Sequence, residues 1–185
     1  NERHLRHSRG VVSKMSQTKV QRSFMFDKSA LIFDSWRHTG IIQLSGTTSV
    51  TTLSTNWERV DDAETTTIGG NMTESSGIFT FPQTGIYLVE LYTQWYNNSA
   101  ESAFNGTYIS VTSNNSDYTS LSSYWCYIPN LSSAYGSTAQ SAIVDVTNTT
   151  NVKIKFLYQS AAAVKIGGDT NSNHTHANFI YLGDT

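Results

Sequence analysis

Cysteine is almost absent from this chain: Cys126 stands alone among 185 residues. No internal disulfide can therefore brace the fold, and cysteine usage says nothing of the compartment. Proline occurs twice, and charged residues make up only 14% of the sequence. No apolar run approaches the roughly 18 residues that a membrane-spanning helix needs, so no membrane partner is expected. The strong helix formers Ala, Leu, Glu, Lys and Arg are sparse, which argues against a helical bundle. What is abundant points the other way. Ser, Thr and Asn account for 63 residues and aromatics for 12%, a composition that suits pleated, half-buried surfaces and an all-β domain.

The formal net charge of −2 hides a division. Residues 1–40 carry eight Lys/Arg against three acids, and residues 41–185 carry four against eleven. The first 22 residues place Arg3, Arg6, Arg9, Lys14, Lys19 and Arg22 three to five positions apart with few apolar neighbours. Such a segment cannot bury a core of its own. It lacks the apolar centre of a secretion signal, so a targeting role is not expected. It also lacks aromatics before Phe24, and the acidic remainder would repel phosphates, so no nucleic-acid partner is expected. A solvated tail is the plain reading; an anchoring arm that folds onto an acidic protein surface is the preferred one. The division expected is an arm and junction over 1–40 and a head over 41–185. Within the junction, FMFDKSALIFDSW at 24–36 reads as a first strand or a short turn of helix.

From residue 41 onward short apolar runs alternate with turn signals. Strands are expected at 41–44, 49–53, 57–60, 77–81, 86–95, 107–112, 120–128, 137–146, 151–159 and 177–182. In NVKIKFLYQ, Val152, Ile154, Phe156 and Tyr158 share one face and Lys153, Lys155 and Gln159 the other, as in a strand with one buried face. Turns are expected at Gly69-Gly70, Pro82 to Gly85, Asn105-Gly106 and Gly167-Gly168-Asp169. Many short strands without helical punctuation predict an antiparallel jelly-roll sandwich.

One stretch is more specific. SGIFTFPQTGIYLVELYTQWY, residues 76–96, resembles the core motif of the globular head of complement component one subcomponent q and its tumour-necrosis-factor-like relatives, with Gly77, Phe79, Pro82, Gly85 and Tyr87 at the motif positions. The preceding segment, with Trp57, Val60, Asp61, Asp62 and Glu64, looks like its counterpart in such domains of tailed-phage virion proteins, and NFIYLGDT resembles their closing strand. The resemblance covers about residues 41–185. It implies a compact homotrimer packed about a threefold axis through apolar and aromatic side chains. Core or trimer candidates are Tyr87, Trp95, Tyr124, Trp125, Tyr127, Phe179, Tyr181 and the small residues at 160–164.

No enzymatic constellation emerges: there is no phosphate-binding Gly loop, HExxH or GxSxG, and no enzyme is expected. Cys126, with no His within 45 residues, reads as a small buried strand side chain. Asp61, Asp62 and Glu64 read as a solvated loop. No cofactor is expected, and no metal. A metal would find its ligands in His174-x-His176, which alternation places on one side of an extended segment and threefold symmetry would multiply to six imidazoles. Seven N-x-S/T triplets follow from the composition and are expected to be unmodified. The resemblance and the charge division together predict a trimeric decoration or cement protein on a phage capsid exterior, its arm docked on the major capsid protein. The alternative is a fibre tip or knob that recognises a host surface glycan or protein.

Overall fold

The structure is a computed structural model that describes residues 31–60, 62 and 66–185. Among them lie thirteen strands and no helix. In chain order these are β1 (Phe33–His38), β2 (Ile42–Gln43), β3 (Thr51–Thr52), β4 (Trp57–Arg59), β5 (Thr73–Ser75), β6 (Ile78–Thr80) and β7 (Gly85–Asn97). They continue with β8 (Ser102–Thr112), β9 (Tyr118–Ile128), β10 (Tyr135–Val146), β11 (Lys153–Ser160), β12 (Val164–Ile166) and β13 (His176–Gly183).

Two antiparallel sheets face each other as a jelly-roll sandwich. The first is organised on β7, whose 13 residues make it the longest strand among those described. One edge of β7 pairs with β10 from Gly85↔Val146 to Tyr96↔Tyr135. The other edge is shared by β13 and, beyond it, β12, while β1 and β4 extend the sheet past β13 and β2 extends it past β12. The second sheet runs β5-β6-β11-β8-β9, with β3 also on β11. Alternation along β7 is regular: Tyr87, Val89, Leu91, Thr93 and Trp95 are buried between the sheets, and Leu88, Glu90, Tyr92 and Gln94 face outward.

Phe79 sits where the two sheets meet. Its ring lies 5.5 Å from Trp36, 5.4 Å from Trp57, 5.3 Å from Phe156 and 5.2 Å from Phe179, so one side chain of β6 touches β1, β4, β11 and β13. Beside this knot the fully buried Asp34 carboxylate accepts from Arg59 Nε at 3.0 Å, Trp36 Nε1 at 3.1 Å and the Met72 amide at 2.8 Å. A buried charge is tolerable only when paired and hydrogen-bonded in this way.

Three expectations are corrected. Residues 33–38, assigned to the junction, form an inner strand between β13 and β4, because Trp36 has an aromatic core to enter and Asp34 has three donors waiting. The head therefore reaches upstream of residue 41. Asn105-Gly106 is no turn but lies within β8, where Asn105 is buried and donates to the Cys126 carbonyl at 3.3 Å. The Trp125 ring covers Gly106 where a side chain would stand, which is why glycine is there. The reversal of chain direction comes later, at residues 113–117, with Asn115 at φ 60°. Finally, Pro82 to Gly85 does not join paired strands: β6 belongs to one sheet and β7 to the other, so this segment carries the chain across the sandwich. Gly85, at φ +137° against the Tyr181 ring, permits the crossing. Strands β5 and β12, each three residues, were too short for a periodic signal.

Replacing Phe79 by Ala should cost about 3–5 kcal/mol of unfolding free energy, measured by denaturant titration of the full chain. A loss below about 1 kcal/mol would remove the ring from its central role.

Candidate functional site

The residues singled out from sequence separate into interior and surface. Tyr87, Trp95, Phe179 and Tyr181 are core. Tyr87 donates to the Gln83 carbonyl at 3.1 Å, and burial pushes its hydroxyl up to about 12; Tyr181 hydrogen-bonds the Asp184 carboxylate. Of the two roles expected for these four, core or trimer contact, burial between the chain's own sheets bears out the first. Tyr124, Trp125 and Tyr127 are the reverse: all three are exposed on edge strand β9 and none is core. In the 160–164 segment Ser160 and Val164 are buried and the three alanines form a half-buried bend. Arg3, Arg6, Arg9, Lys14, Lys19 and Arg22 lie outside the described residues, as do Asp61 and Glu64. Asp62 is placed: Arg37, itself buried, holds it at 2.7 Å and Glu58 at 2.6 Å. The hydrogen bond from Arg37 keeps the Asp62 carboxyl below the usual carboxylate range.

The outer face of the β7 sheet is banded. Ile68, Phe33, Ile180, Leu88 and Ile143 stand opposite one another in unbroken register across five chain segments. Directly opposed residues put their Cβ atoms about 5 Å apart, so these five make a continuous apolar row pointing away from the core. Ile143 at its end is 66% exposed. One band further along, Ser141, Glu90, Asn178 and Ser35 form a polar row, with Asn178 donating to Glu90 Oε2 at 3.1 Å. Next come Ala139, Tyr92, His176, Arg37 and Glu58.

His174 and His176 meet this face separately. His176 stacks on Tyr92 with centroids 4.7 Å apart and planes 10° from parallel, and its Nδ1 is 3.1 Å from the Asn173 carbonyl. His174 Nδ1 lies 3.0 Å from the Tyr96 hydroxyl. Among the described residues no three His, Cys, Asp or Glu side chains gather as metal ligands. Each imidazole is occupied by a different tyrosine. Cys126 is half-buried beneath Gly136, and burial pushes its thiol up to about 11, the opposite of what a nucleophile needs.

Neither a family model nor a curated relative matches the sequence. Solved structures do match it. Murine APRIL at pH 5.0 superposes with a TM-score of 0.58 at 17% identity, covering 82% of this chain and 99% of that one. Eiger TNF of S. frugiperda gives 0.60 at 13% identity, covering 84% and 95%. The fold is tumour-necrosis-factor-like. At these identities the likeness is one of architecture, and the jelly roll expected from residues 76–96 agrees with it.

The apolar row escaped sequence reading for a definite reason. In IYLVELYTQW the expected inner face, Tyr87, Val89, Leu91 and Trp95, is the true one, but Ile86 and Leu88 on the other face are apolar too. Only the register reveals that Leu88 has Ile180 and Ile143 for neighbours.

Two outcomes follow from these environments. Modification of Cys126 by a thiol-specific disulfide reagent at pH 8 should run about a hundredfold slower than for a free cysteine, since thiolate is the reactive form; a rate equal to that of a model thiol would contradict the burial. Burial also lowers the pKa of His38 and of His176, so the fold prefers both neutral. Their contribution to stability is complete above the unfolded value near 6.5 and declines as pH falls below it. The thermal midpoint should therefore drop between pH 7.5 and pH 5; an unchanged midpoint would contradict this.

Proposed function

We propose that the protein is a non-enzymatic virion structural protein: a homotrimeric capsid decoration or cement protein whose basic arm docks on the major capsid protein. The observation that carries the reading is the apolar row Ile68, Phe33, Ile180, Leu88 and Ile143 on a tumour-necrosis-factor-like head. An apolar band that is half-buried at Phe33, Leu88 and Ile180 and exposed at Ile68 and Ile143 calls for a cover, and a further copy of the chain is the occupant that the resemblance to trimeric heads supplies. The arm is basic and the head, residues 41–185, is acidic, so an acidic capsid surface must compete with the head for the arm. The Lys and Arg of the arm supply charge-assisted contacts to such a surface. Three arms on one trimer raise the effective concentration of each, so weak individual docking suffices to hold the assembly. The head then projects from the capsid exterior.

A second reading has its own observation. Trp125 is exposed on β9 beside Phe104 and Tyr108, the kind of aromatic surface with which a receptor-binding knob recognises a host glycan or protein.

Light scattering should give three times the 20.5 kDa chain mass. Leu88→Asp with Ile143→Asp should yield a folded monomer; a trimer that survives both would dissociate the apolar row from assembly. Deleting residues 1–22 should abolish capsid binding and leave the head's thermal transition intact, whereas undiminished binding would sink the docking role.

A further inference from the structure

We propose that the outer face of the second sheet carries a saccharide-binding slot, floored by the Trp125 indole and walled by Phe104 and Tyr108. The inference supplies a site to the receptor-knob reading, on which its biological setting rests. Its chemistry stands on the slot alone.

Phe104, Gly106 and Tyr108 are alternate residues of β8 and share one face. Across the sheet Gly106 is opposed by Trp125 on one side and by Gln159 on the other. The indole leans over Gly106 and lies where a Cβ would stand, so the missing side chain fixes the ring against the strand. The rings of Phe104 and Tyr108 meet it edge-on from either side, at 5.3 Å and 84° and at 5.4 Å and 85°. The result is a recess of about 280 Å³ lined by Phe104, Trp125 and Gln159. Both wall rings lie within 5.4 Å of the indole between them, so the space they bracket is nearer one pyranose ring than two.

The polar group is oriented as well. Tyr108 donates its hydroxyl hydrogen to Gln159 Oε1 at 3.0 Å. That bond occupies the amide oxygen and leaves the NH2 of this recess-lining residue as the group with a hydrogen to offer a ligand. The five residues Phe104, Gly106, Tyr108, Trp125 and Gln159 carry no charge, so the matching ligand is neutral. An aromatic face fixed flat, with an amide donor at its rim, suits a pyranose: its axial C–H bonds stack on the ring and its hydroxyls accept from the amide. The slot also stays open in the proposed assembly, since it lies on the opposite outer face of the sandwich from the apolar row.

The other three tryptophans, Trp36, Trp57 and Trp95, are 8%, 9% and 0% exposed, whereas Trp125 is 45% exposed. Red-edge tryptophan emission of the full chain therefore reports on the slot. Titration with a panel of neutral disaccharides (cellobiose, maltose and N,N′-diacetylchitobiose) into the tens of millimolar should shift that emission to the blue with saturation for at least one sugar. Because Trp125 is itself the reporter, Trp125→Ala is read by calorimetry, and it should abolish the heat of sugar binding at an unchanged thermal midpoint. Gly106→Ala, which displaces the indole while keeping it, should weaken binding at least tenfold, and Gln159→Leu should weaken it severalfold. No shift with any sugar overturns the proposal, as does a heat of sugar binding that persists without Trp125 or a response to tetramethylammonium alone. Emission that changes with protein concentration and not with sugar assigns the surface to contact between copies and overturns it too. Capsid binding is scored separately through the arm, so loss of docking with a retained sugar response fails the decoration role and leaves the slot standing.

Discussion

The aromatic knot at Phe79 is the constraint on which the rest of this sandwich depends. A chain with one cysteine cannot brace its two sheets with an internal disulfide, and aromatic packing supplies much of what joins them. Phe79 joins them from a three-residue strand by touching rings from four others. Trp36 and Trp57 close the knot on the β1–β4 side, and the Arg59 guanidinium, 4.6 Å from the Trp36 ring centre, ties the Asp34 carboxylate to the same corner. Short strands become tolerable in this arrangement. β4 and β6 contribute little ladder but deliver large side chains to one place, and burial area stabilises what strand length cannot.

Away from the knot the interior changes character. Asn105, Ser102 and Ser160 hydrogen-bond one another, and Thr107 joins Thr138 at 2.8 Å and Gln140 at 3.0 Å, all of them buried. A chain one-third Ser, Thr and Asn cannot keep all of these residues at the surface. It places some inside and pairs most of them, Thr93 being an exception, because an unpaired buried hydroxyl or amide costs more than the hydrogen bond gains. Ser and Thr thereby serve at both ends of the polarity range, which is why the composition alone did not reveal a polar end to the core.

The two outer faces differ in kind, and that difference organises the functional argument. The β7 sheet presents an apolar row next to a polar row and a His–Tyr–Arg row, a surface with the extent and banding of a protein contact. The β8–β9 side presents separated aromatic rings around a glycine, a surface with the scale of a small ligand. On the proposed reading one face serves assembly and the other recognition, and both stand on strands and not on loops.

The sequence by itself determined the all-β class, the jelly roll and most strand positions, since alternation in segments such as NVKIKFLYQ and the Gly77–Tyr87 motif are local properties of the chain. It also identified Tyr87, Trp95, Phe179 and Tyr181 as large side chains needing burial. It left open whether they met their own sheets or another copy, because hydrophobicity names a side chain that must be covered and not what covers it. Asn105-Gly106 shows the same limit: two residues with turn chemistry sit in a strand because Trp125, nineteen residues on, needed the space of a missing side chain. Only tertiary structure decided that Phe33–His38 belongs to the head, that Leu88 lies beside Ile180 and Ile143, and that each histidine has its own tyrosine. Those facts depend on register between segments up to 147 residues apart, and register is fixed by the packing of the whole sandwich rather than by any stretch of it.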